Sequence, residues 1–121
     1  MKNSIEAFLR SDHAGEVGAV YIYKGILAIS KDSDLVEFSK RHLATEKTHL
    51  SKIEEILPKR NRSKLVWLWK MAGFLLGFLP ALFGPKIVFA TIEAVEAFVE
   101  EHYENQLVYL RAQPNPDEGL I

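Results

Sequence analysis

Apolar residues recur at steps of three and four along three long stretches of this chain, and short polar or proline-bearing breaks separate them. That spacing marks amphipathic helices, because positions three and four apart share one face. The first stretch runs from about Ser4 to Ser30, with Ile5, Phe8, Leu9, Asp12, Glu16, Ala19, Tyr23 and Ile26 on its stripe. The second follows the turn Lys31-Asp32-Ser33-Asp34, with Ser33 as the expected cap, and ends near Leu57, where Pro58 stops it. Its stripe is Leu35, Phe38, His42, Glu46, His49, Ile53 and Ile56. The third spans Lys86 to Leu110, with Phe89, Ile92, Glu96, Val99, Tyr103, Gln106 and Leu110 in line. Between the second and third lies Leu65 to Phe83, apolar nearly throughout and closed by Gly84-Pro85.

Acidic residues interrupt this pattern. Glu16, Glu46 and Glu96 each stand where an apolar side chain belongs. An unpaired buried carboxylate costs several kcal/mol, so such groups are paired or bound to a metal. His49 follows Glu46 by three residues and shares its face, a Glu-x-x-His motif. Carboxylates with an imidazole suit iron, manganese or zinc. The short connection predicts that the first two helices are antiparallel neighbours, which brings Glu16 level with Glu46 and His49. The bland alternatives are a solvated, helix-supporting Glu46/His49 pair and a marginal placement of Asp12 and Glu16. Gly15 and Gly18 suggest close helix packing around Glu16. Glu93, Glu100, Glu101 and Glu104 fall off the stripe and read as a solvated face. His102 reads as either a supporting group or a satisfied core histidine, and Tyr103 reads as core.

Composition narrows the function. The 121 residues make one domain or part of one, 1–121, expected to be incomplete at its C-terminus, and 48% of them are hydrophobic, enough for a core. The absence of cysteine excludes a disulfide framework, a thiolate metal site and a cysteine nucleophile. A net charge of −1 gives no reason to expect nucleic acid, and Met1 to Glu6 holds no apolar secretory segment. Between Glu55 and Glu93 there is no acid, but there are Lys59, Arg60, Arg62, Lys64, Lys70 and Lys86. Trp67, Trp69, Phe74 and Phe78 beside the basic loop Lys59 to Lys64 predict a segment lying in a bilayer interface, on anionic headgroups. Lys70 and Pro80 argue against a crossing. Gly73 and Gly77 form a GxxxG that permits close packing. The alternative is a buried core helix of a soluble bundle.

Ferritin-like di-metal bundles take one Glu from each of two helices and a Glu-x-x-His from each of the other two. This chain supplies Glu16, Glu46 with His49, and Glu96, and has one Glu-x-x-His. Four blocks then carry a resemblance across Asp12 to Leu110. They are Asp12-His13-Ala14-Gly15-Glu16-x-Gly18-Ala19, Glu46-Lys47-x-His49-Leu50, Leu68-Trp69-x-x-Ala72-Gly73-Phe74, and Ala94-Val95-Glu96 followed by His102-Tyr103-x-Asn105-Gln106. They resemble the demethoxyubiquinone hydroxylase family, the carboxylate-bridged di-iron monooxygenases of ubiquinone biosynthesis. The resemblance implies an all-α, ferritin-like helical bundle with an apolar interfacial helix, truncated before its last helix. It implies two irons, with Glu16 and His49 on the first, Glu46 bridging and Glu96 on the second. A final helix of the family supplies a further Glu and His, which have no counterpart here.

The implied reaction uses O2 and, ultimately, NADH to hydroxylate a polyprenylated methoxy-methyl benzoquinol. The implied partners are the membrane lipid surface and that quinol, and the resemblance leaves open a homo-oligomer or a ubiquinone-biosynthesis complex. The implied place is the cytoplasmic face of a bacterial cell membrane or the matrix face of the inner mitochondrial membrane, held peripherally. The alternative is a non-catalytic remnant or membrane-bound partner subunit that keeps the bundle but not both irons.

Overall fold

The computed structural model describes residues 2–112, and four helices make up nearly all of them. They are α1 (Lys2–Ile29), α2 (Ser33–Ile56), α3 (Val66–Ala81) and α4 (Pro85–Arg111), with a 3₁₀ turn at Lys59–Asn61 before α3. The described residues contain no strand, and the fold is the expected all-α, ferritin-like bundle. Asp117 and Glu118, which would suit the first turn of a further helix, lie outside the described residues.

The breaks follow local chemistry. Asp32, not Ser33, caps α2, and its Oδ1 accepts from the Leu35 amide at 2.9 Å. At the other end Leu57 turns extended before Pro58, as a residue preceding proline prefers. The Arg62 guanidinium donates to the carbonyls of Glu54 (3.3 Å) and Leu57 (3.4 Å), satisfying groups left open by the end of α2. Gly84 adopts φ 108°, which a side chain would strain, and Pro85 starts α4 with its φ preset.

Helix α1 is the central element. It packs along α2 and α3, and long side chains tie it to α4. It is therefore buried on several sides: Ala14, Val17, Val20, Ile22, Tyr23 and Ile26 are all in the core. Ile22, Tyr23 and Ile26 join Leu35 of α2 and Val88 and Ile92 of α4 in one apolar cluster. The inward line of α4 runs through Val88, Ile92, Val95 and Val99. That line is rotated from the expected stripe, and it leaves Phe89 and Glu96 exposed.

The contact between α1 and α3 is made by glycines. A Cβ on Gly73 would run into the Gly18 carbonyl, one on Gly77 into the Ile22 carbonyl, and one on Gly25 into the Phe74 carbonyl. Gly18 meeting Gly73 and Ile22 meeting Gly77 means that the two helices run parallel. Gly15, by contrast, is exposed with nothing within 4 Å of an added Cβ. The close packing expected around Glu16 thus involves Gly18 alone, and it faces α3 rather than the carboxylate. The large side chains of α3 point outward: Trp67, Leu68, Trp69, Met71, Leu75, Leu76 and Leu79 are exposed, Trp67 at 61%. Its buried residues are Gly73 and Gly77. No helix among the described residues is long and apolar enough to cross a membrane.

Candidate metal centre

Antiparallel pairing of α1 and α2 brings Glu16 to Glu46 and His49. His49 Nδ1 lies 3.7 Å from Glu46 Oε2 and 3.9 Å from Glu16 Oε2. One donor atom from each of the three residues falls within 4.8 Å of the others. Glu16 is buried, Glu46 half-buried and His49 exposed, so the cluster has a closed end and an open one. Glu16 Oε1 accepts from the Tyr103 hydroxyl at 3.0 Å, whereas its Oε2 is buried without a hydrogen-bond partner.

Two carboxylates facing each other with no cation between them are electrostatically costly. Burial, and then the neighbouring Glu46, push the Glu16 carboxyl from its ordinary 4.5 up to about 8; Tyr103 and His49 pull it back only partly. At neutral pH the Glu16 carboxyl therefore carries a proton. Between those two values the folded chain holds a proton that the unfolded chain has released, so stability falls as pH rises through that window. Metal-stripped protein is expected to be less stable at about pH 9 than at about pH 5, by a few kcal/mol at most. Burial raises Asp12 as well, which adds in the same direction. Glu16→Gln should flatten the dependence, measured as urea midpoints across pH. A flat profile in the parent protein would contradict the arrangement.

A polar layer joins α4 to α1 beside the cluster. Gln106, itself buried, donates to Asp12 Oδ1 at 2.9 Å and lies 3.0 Å from His102 Nε2. His102 Nε2 stands 3.4 Å from both Asp12 Oδ1 and Ser11 Oγ. His102 thus meets Asp12, Ser11 and Gln106 and none of the three cluster residues, whereas Tyr103, read from the pattern as core, holds a carboxylate of the cluster. Tyr103 and Gln106 lie three apart on the α4 stripe, opposite Glu16 and Asp12 four apart on α1; that matched spacing is the signal for their pairing.

Glu96 is exposed and stands outside the three-residue group, because Ile92 and Val95 take the inward positions beside it. It is nonetheless on the same side of the bundle. Burial raises the Tyr23 hydroxyl, and the charges of Glu96 and Glu46 raise it further. His13, three residues before Glu16, was not assigned a role from the pattern. It is 2% exposed and pairs with Glu54 at 3.0 Å.

Residues 3–120 match the family described as ubiquinone biosynthesis protein COQ7. A Rhodospirillum rubrum protein named 3-demethoxyubiquinol 3-hydroxylase is 41% identical over 105 residues, covering 84% of this chain and 50% of that protein. A Dictyostelium discoideum protein named NADPH-dependent 3-demethoxyubiquinone 3-hydroxylase, mitochondrial, is 37% identical over 118 residues, covering 96% and 54%. The human protein of that name is 34% identical over 121 residues, covering 98% and 56%. The chain thus spans about half the length of the curated relatives it matches.

Proposed function

The chain belongs to the ubiquinone biosynthesis protein COQ7 family, and from that membership we propose that it carries the metal-binding core of a membrane-docked di-iron 3-demethoxyubiquinol 3-hydroxylase. The observation that carries the reading is the convergence of Glu16, Glu46 and His49 around the unpartnered Glu16 Oε2. The donor set fits the metal: two carboxylates and an imidazole suit iron, and a cation there supplies the partner that Oε2 lacks. Glu16, Glu46 and His49 would hold one iron, and Glu96 is the fourth ligand that the family resemblance implies, for the second. Bound iron would supply the activation of O2, one atom of which would go to the quinol ring and the other, with two electrons and two protons, to water.

The chain's own residues do the rest. Tyr103 fixes the direction of Glu16 through its hydrogen bond. Glu16 gives up its proton as the metal arrives, so metal affinity rises with pH. His49, half exposed, marks the open side. The reductant is a reduced nicotinamide; NADH is the sequence expectation, and the Dictyostelium and human relatives are named NADPH-dependent. The exposed apolar face of α3 lies in the bilayer interface, so a polyprenyl tail stays in lipid while its ring enters the bundle. The protein then sits peripherally on the membrane, on the mitochondrial matrix face or its bacterial cytoplasmic equivalent.

The decisive assay supplies Fe(II)-loaded protein with a short-tailed demethoxyquinol, O2 and reduced nicotinamide, and looks for gain of one oxygen atom by mass. Product supports the hydroxylase. Iron binding without product would favour the partner-subunit reading. For the membrane, charge reversal at Arg60 and Lys64, both exposed, should weaken co-sedimentation with anionic vesicles about tenfold. Unchanged sedimentation would refute interfacial docking. Arg62 is a poor probe, because it caps α2.

A further inference from the structure

We propose that the cavity between α1, α2 and the start of α3 is a binding site for a phosphate group. The cavity holds about 480 Å³, within the usual range for small-ligand sites. Lys24 comes to it from α1, Lys47 from α2, Lys59 from the 3₁₀ turn, Arg62 from the segment after it and Lys70 from α3. Solvated lysines usually spread along one helix face; here five cations from separate parts of the chain surround one concavity. The only acid in the lining is Glu54, already engaged by His13 at 3.0 Å and Arg62 at 3.6 Å. Among the described residues, none of the four lysines has a carboxylate within ion-pair distance.

Two details sharpen the case. Lys24 and Lys70, from different helices, both stand over the Tyr21 ring, at 4.5 and 5.7 Å. The same ring thus draws an ammonium group from each of two helices. His13, in the cavity wall and 2% exposed, holds Glu54 through Nε2, so the one acid of the lining has a partner of its own. Phosphate oxygens accept from lysine and arginine at once.

This cavity is separate from the carboxylate cluster. Lys47 and Leu50 of α2 line it, and none of Glu16, Glu46 and His49 does. Val66 and Lys70 place its edge beside the apolar face of α3. The phosphate therefore comes either from a lipid headgroup or from a soluble phosphate compound. Only the lipid source rests on the interfacial docking proposed above.

The test compares Lys24→Gln/Lys47→Gln with Lys31→Gln/Lys40→Gln, which removes the same charge outside the cavity. Each full-length protein is titrated calorimetrically with inorganic phosphate and with glycerol 3-phosphate. Each is also sedimented with phosphatidylcholine vesicles, with and without phosphatidylglycerol. The cavity pair should lose about tenfold in affinity and the control pair no more than about twofold. Loss confined to the soluble probes identifies a free phosphate ligand, and loss that includes phosphatidylglycerol vesicles identifies the headgroup. The proposal is overturned if the parent binds neither phosphate nor phosphatidylglycerol vesicles, or if both pairs lose equally. Parent protein that binds soluble phosphate but no vesicle of either kind would remove the docking reading and leave the phosphate site standing.

Discussion

Glu46→Ala should lower the affinity of the protein for Fe(II), or for Co(II) as a spectroscopic substitute, by at least about a hundredfold. Outer-shell partners of metal sites alone are worth ten- to a hundredfold, and Glu46 is placed as a direct ligand. It supplies one of only three donor atoms that lie within 4.8 Å of one another, and no other acid or histidine among the described residues completes such a group. The loss should occur without unfolding. Glu46 is half-buried, and removing it relieves the repulsion that helps hold the Glu16 carboxyl near 8. Metal-stripped Glu46→Ala should therefore be at least as stable as the parent above neutral pH. Glu100→Ala, on the exposed face of α4, serves as the control and should bind like the parent. Parent-like affinity in Glu46→Ala would remove Glu46 from the site.

The second large effect belongs to the seam between α1 and α3. Gly77→Val should cost more than about 3 kcal/mol, at the upper end of overpacking substitutions. The added carbon meets the backbone carbonyl of Ile22, with the Ile26 amide close behind, and backbone cannot rotate away as a side chain can. α1 is also held by α2, so relief requires α3 to leave. Gly15→Ala provides the contrast on α1 itself. Nothing lies within 4 Å of the added methyl, so that change should stabilise by up to about 1 kcal/mol through helix propensity. Urea midpoints for both variants check the pair; a midpoint for Gly77→Val equal to the parent's would show that the seam is not close-packed.

Much of this arrangement can be read before folding, and the parts that cannot share physical reasons. Periodicity locates helices and their ends, and chain reversal after Ser30 brings Glu16 level with Glu46 and His49. Periodicity does not fix the rotation of a helix within half a step. Glu96 and Val95 are neighbours, and only packing against the apolar cluster of α1, α2 and α4 decides that the Val95 side turns inward. Likewise a GxxxG announces close approach without naming the partner, because the partner is far along the chain. The Tyr103 hydroxyl names its acceptor only through the spacing it shares with Gln106, matched by Glu16 and Asp12 on α1. The phosphate cavity is the extreme case. Lys59 and Arg62 belong to a visible basic run, but Lys24 and Lys47 are single cations in other helices whose convergence exists only in three dimensions.

The glycine seam has a mechanical consequence. Glu16 and Gly18 are two residues apart, so they stand about 200° apart around α1, one toward the carboxylates and the other against α3. Where backbone touches backbone there is no layer of side chains to yield, and close-packed interiors transmit displacement instead of absorbing it. α1 and α3 therefore behave as one beam. A displacement of α3 is carried into α1, the helix that bears Glu16, and is not taken up by side chains between them.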